Sequence, residues 1–108
     1  MYRLLLLLAL LTATLPASAQ EAATVANARA AYERSNYMDA VDIATRVLRQ
    51  DRNNVDALII RARAYEASER YASAVPDYER VLAIDPTNAA AIEGRRRAQS
   101  LVRGAQDR

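Results

Sequence analysis

The chain contains no cysteine and no histidine. Zinc, haem and iron–sulfur ligation by those side chains is therefore excluded, as are a cysteine nucleophile and an imidazole general base. No disulfide can form, so stability rests on packing alone. Tryptophan, phenylalanine and lysine are absent as well, and every basic side chain is an arginine. Two glycines are too few for a phosphate-cradling loop, and no nucleophile elbow or metal-ligand spacing occurs. The carboxylates Glu66 and Glu69 end a predicted surface helix, where solvated charge explains them without acid–base chemistry. No catalytic residue, cofactor or metal is expected. What is present is a chain of 108 residues, 52% hydrophobic and dominated by Ala, Leu and Val. That composition describes one small helical domain rather than a disordered segment.

The N-terminus reads differently from the rest. Arg3 precedes an unbroken apolar run from Leu4 to Leu11, and Ala17-Ser18-Ala19 supplies a small-x-small site. This order of charge, apolar core and small residues is that of a secretory signal peptide cleaved after Ala19. The apolar stretch is shorter than the roughly 20 residues needed to cross a bilayer. A periplasmic or secreted location is expected, with no stable membrane anchor. Loss of Arg3 with the leader would bring the formal charge of +2 still closer to neutrality. Such a balance favours neither nucleic acid nor an anionic membrane as partner.

From Glu21 onward the chain repeats itself with a period of 34 residues. Sliding 21–54 onto 55–88 without gaps aligns Ala28-Arg29-Ala30 with Ala62-Arg63-Ala64, and Tyr37 with Tyr71. Ala40-Val41 falls on Ala74-Val75, Arg46-Val47-Leu48 on Arg80-Val81-Leu82, Asp51 on Asp85 and Asn54 on Asn88. Apolar residues recur within each unit at helical spacing: Val25, Ala28 and Ala31, then Ala40, Val41, Ala44, Val47 and Leu48. Four helices are predicted near 22–34, 37–50, 55–68 and 71–84, with a fifth from about 89 to 103. Asn36 is the expected N-cap of the second. Pro86 enforces a stop before the last segment, and Pro76 is expected to bend the fourth helix locally.

A 34-residue helix–turn–helix unit with these positions resembles the tetratricopeptide repeat (TPR) family. The match is best over 55–88, where Leu58, Ala62, Tyr65, Tyr71, Ala74, Tyr78, Val81 and Asp85-Pro86 stand at the family's large, small and turn positions. The first unit departs from it at Arg52, in place of the turn proline, and at Ala44, in place of an aromatic. The resemblance implies an all-α solenoid of two units, 21–54 and 55–88, closed by a solvating end helix at 89–103, all within a domain spanning 20–108. The end helix carries a small-residue stripe of Ala91, Gly94, Ala98, Leu101 and Ala105. Because each unit cannot bury its apolar face alone, at least three are usually needed, and the end helix must substitute for the third.

Arg29, Arg63 and Arg97 recur at intervals of 34, so they occupy the same place on three successive first-type helices. In stacks of the family those helices line the concave surface, where extended peptides bind. The candidate binding residues are therefore Arg29, Tyr32, Ile59, Arg63 and Arg97, with guanidinium forks suited to an acidic or C-terminal peptide. Intrahelical pairing of Arg29 with Glu33, Arg63 with Glu66 and Arg97 with Glu93 would compete with that role. The Lys/Asn carboxylate clamp of some chaperone-binding members is not reproduced. The function implied is a non-catalytic protein-interaction module, an adaptor or assembly factor of the cell envelope with a protein partner. The alternative is a structural, self-associating subunit without a peptide ligand.

Overall fold

A computed structural model describes residues 22–108, so the expected leader at 1–19 lies outside the described residues. Five helices follow one another: α1 (Val25–Glu33), α2 (Tyr37–Gln50), α3 (Val55–Ala67), α4 (Tyr71–Ile84) and α5 (Ala89–Gln106). The protein is all-α among the described residues, with each helix packed antiparallel-hairpin fashion on the next through a short turn. Helix α5 extends three residues beyond the end expected from the sequence.

Two kinds of turn alternate, and the repeat explains both. Between units, Asp51 and Asp85 accept from the amides two residues on, Asn53 and Thr87, at 3.2 and 3.3 Å. Asn54 and Asn88 then cap α3 and α5, each side-chain oxygen accepting from the amide three residues later at 3.0 Å. Thr24 caps α1 in the same way. Arg52 in place of a proline does not disturb this turn, because the aspartate and asparagine hold it.

Within units the chain reverses differently. The Asn36 amide donates to the Ala31 carbonyl and the Ser35 amide to that of Tyr32; Arg70 and Glu69 repeat this on Tyr65 and Glu66. These are Schellman closures, with Ser35 and Glu69 in the left-handed region at φ 64° and 62°. Asn36 does occupy the N-cap position of α2, but its side chain makes no capping bond. The expectation of a side-chain cap there fails because the closure of α1 sets Asn36 at ψ 70°, outside the extended region from which caps reach forward. Glycine is the residue the left-handed positions favour, since L-residues there are destabilised by about 1–2 kcal/mol. Glu69→Gly should therefore raise the melting temperature by a few degrees, a gain partly offset by the greater freedom of glycine in the unfolded chain. An unchanged or lower midpoint in a thermal melt would contradict this account of the turn.

Pro76 does not interrupt α4, which continues for eight residues beyond it. The proline is solvent-exposed, as is Ala72, so the carbonyl deprived of its amide partner faces water.

The core is built largely from alanine. Among the described residues Ala28, Ala31, Ala40, Ala44, Ala57, Ala62, Ala64, Ala74, Ala91 and Ala98 have no exposed surface. Small side chains let helix axes approach, and the remaining space is filled by Leu58, Tyr78 and Val81 in one cluster and by Ile43 and Ile60 in another. Of the small-residue stripe on α5, Ala91, Gly94 and Ala98 are buried, whereas Leu101 and Ala105 are exposed. Each of these two lines a shallow depression beside Tyr71 at the start of α4, at the rim of the packed array.

The array is curved. Helix α3 packs alongside both α1 and α5, but no Cα atom of α2 comes within 8 Å of α4. The first-type helices α1, α3 and α5 thus form a continuous inner face, while α2 and α4 splay apart on the outer one.

Candidate functional site

The inner face carries a depression of 350 Å³ that brings together Tyr32 from α1, Arg63 and Glu66 from α3, and Arg97 and Leu101 from α5. Three of the five residues singled out from the sequence therefore meet at one place. Arg29 lies on the exposed surface of α1 outside this depression, and Ile59 is half-buried against the core rather than lining it. Tyr32 is half-buried and packs on Tyr37 across the turn, with ring centroids 5.6 Å apart and planes tilted by 55°. Its position is fixed by that contact, as aromatic pairs prefer such tilted geometry.

The arginine row is not uniform. Arg97 grips Glu66 with two bonds, Nε to Oε2 at 2.7 Å and Nη2 to Oε1 at 3.0 Å. The Tyr78 hydroxyl donates to the same carboxylate from below. The intrahelical pairs expected from spacing do not form: Glu66 is taken by Arg97 from another helix, and Glu93 pairs with Arg96 at 2.8 Å. The physical reason is burial. The Glu66 side chain retains only 11% of its exposure, and a bidentate, desolvated partner outweighs an exposed pair three residues away. Arg29 and Arg63 make no ion pair among the described residues, so two guanidiniums of the row stay available and the third is structural.

Tyr78 is 1% exposed, and burial together with its bond to Glu66 pushes the phenol above its usual range, so it stays protonated at neutral pH. Arg97 is held charged chiefly by its hydrogen bonds to Glu66. Tyr78 lies directly beneath Gly94, where a Cβ would overlap its ring. The absence of that methyl is what lets α5 settle on α4 and bring Arg97 within reach of Glu66.

A second charged constellation escaped the sequence reading. Asp77, buried in α4, accepts from Arg61 of α3 at 2.8 Å (Nε to Oδ2) and 2.6 Å (Nη2 to Oδ1). Arg61 also donates from Nη1 to the Thr45 hydroxyl of α2 at 3.2 Å. The bonds to Asp77 raise the pKa of the guanidinium, against the opposing effect of burial. A signal existed. Asp77 takes the place of Ile43 in the repeat alignment, and a carboxylate in an apolar stripe demands a partner.

The geometry is that of a curved helical-repeat solenoid with shallow depressions on its inner and outer faces. A family model described as tetratricopeptide repeat matches residues 25–89, more than half of the chain, and the chain belongs to that family. DnaJ homolog subfamily C member 3 of Gallus gallus is 36% identical over 70 residues, which are 65% of this chain and 14% of that protein. The crystal structure of the P58(IPK) TPR domain superimposes with a TM-score of 0.65 at 35% identity, over 67% of this chain and 20% of that one. The likeness thus concerns the repeat array and a small part of each relative. Domains of this kind generally mediate protein–protein interaction.

Proposed function

We propose that the protein is a non-catalytic adaptor that binds an acidic or C-terminal peptide segment of a partner on its inner face. The observation that carries this reading is the depression where Arg63, free of ion pairs among the described residues, stands beside Tyr32 and the exposed Leu101. A guanidinium with uncommitted donors suits a carboxylate, and the flanking phenol and leucine suit an apolar neighbour in the same peptide. Arg29, one turn further along α1, extends the positive stripe. An exported location, periplasmic or secreted, is part of the proposal and rests on the order of residues in 1–19. Cell fractionation of the tagged protein tests it, and an uncleaved cytoplasmic protein would refute it.

Selection from a library displaying free peptide C-termini tests the binding reading. Enrichment of acidic sequences is expected, with affinity falling as salt rises because exposed charges are screened. Arg63→Glu should abolish the enrichment, whereas Arg95→Glu, away from the depression, should leave it intact. Loss of neither, or no enrichment at all, would transfer support to a self-associating structural subunit. Ile92 and Leu101, at 43% and 40% exposure on the free end of the stack, favour that second reading. It predicts a mass in light scattering above the monomer that falls on dilution.

A further inference from the structure

The outer face holds a second site. Because α2 and α4 splay apart, a depression of 430 Å³ opens between them, floored by Leu48 and Leu58. Its rim carries four guanidiniums, Arg49, Arg52, Arg61 and Arg80, and no acidic residue lines it. Two of the four are locked in place. Arg61 is fixed by Asp77 and Thr45, and Arg80 donates to the Arg52 carbonyl and the Asn53 side chain, both at 3.1 Å. Arg49 and Arg52 are exposed, and their side chains make no hydrogen bond or ion pair among the described residues.

Asp77 offsets the charge of Arg61, which engages both its oxygens. The three like charges that remain, on Arg49, Arg52 and Arg80, repel each other around one depression, a strain that a bound anion relieves. A single carboxylate would leave most of that charge uncompensated, whereas a compact group with two or more negative charges would meet it. Arginine forks bind phosphoryl and carboxylate oxygens in the same bidentate manner, and Arg80, held against the Arg52–Asn53 turn, is pre-organised for it. The volume falls within the usual range for small-ligand pockets, and the leucine floor accepts an apolar portion of the ligand.

We propose that the α2–α4 cleft is a binding site for a small multivalent anion, a phosphoryl compound or a clustered carboxylate, recognised by Arg49, Arg52 and Arg80. The site lies on the face opposite the peptide-binding depression and is independent of it.

Isothermal titration of the full chain with pyrophosphate and with citrate, at constant ionic strength, tests the site. Saturable one-to-one binding of at least one anion is expected, and which one binds more tightly identifies the phosphoryl or the carboxylate source. Arg49→Ala/Arg52→Ala should weaken that binding by about tenfold or more, since charge-assisted hydrogen bonds are lost. Both side chains are exposed, so circular dichroism should show unchanged helix content in the double variant. Arg29→Ala/Arg63→Ala on the inner face should leave anion binding within about twofold of wild type. Failure of both anions to saturate would overturn the proposal. So would binding that survives Arg49→Ala/Arg52→Ala, or that is lost equally in the inner-face variant.

Discussion

Gly94→Ala is expected to lower the stability of the protein, although an alanine normally favours a helix over glycine by about 0.8–1 kcal/mol. The added methyl would overlap the ring of Tyr78. That ring cannot swing aside freely, because it is enclosed and its hydroxyl is bonded to Glu66, which Arg97 holds in turn. Overpacking of this kind costs about 1–3 kcal/mol, and the rigid network puts the effect toward the upper end. The net loss should be about 1–2 kcal/mol, with the midpoint of thermal unfolding falling by about 4–8 °C per kcal/mol. Gly104→Ala is the internal control. Apart from the helix's own adjacent backbone, no atom lies within 4 Å of a Cβ there, so helix propensity alone acts and the midpoint should rise. If the two substitutions shifted the midpoint equally, α5 would not owe its seat to the missing methyl.

Asp77→Ile copies the first unit's residue into the second and replaces a buried charge with an apolar side chain. It should nevertheless destabilise, because Arg61 would be left in the interior with its carboxylate gone. Breaking a fully buried pair in this way costs about 3–5 kcal/mol. Arg61 keeps 22% of its side-chain exposure and its bond to Thr45, so about 2–3 kcal/mol is the expected loss. The double variant Arg61→Leu/Asp77→Ile should recover most of it, since apolar replacements of buried pairs are often neutral or better. Urea unfolding of wild type, both singles and the double would yield the coupling. A neutral Asp77→Ile would mean that the pair does not tie α3 to α4.

The leader-like segment aside, much of the architecture was written locally. Helix positions follow from apolar residues spaced three and four apart, and the unit length from matches such as Ala28 with Ala62 and Asp51 with Asp85. The capping asparagines Asn54 and Asn88 and the alanines that let helices approach are visible in the repeat because short-range geometry needs nothing from elsewhere in the chain. Tyr32, Arg63 and Arg97 were legible as neighbours on the same ground: once the period is known, equivalent positions of successive first-type helices must line one face.

Charge pairing was a different matter. Spacing within a helix pointed Glu66 at Arg63 and Arg97 at Glu93, yet Glu66 joins Arg97 across 31 residues and Arg61 joins Asp77 across 16. A helical period places side chains around one axis but leaves open which neighbouring helix they meet, and desolvation at that meeting outweighs any exposed pair along the surface. The same holds for Asn36, freed from capping by the closure of α1, and for Gly94, whose missing methyl matters only because Tyr78 lies beneath it. The outer cleft shows it most fully. Arg49, Arg52, Arg61 and Arg80 are scattered through three helices and a turn, and only the splay of α2 from α4 gathers them around one depression.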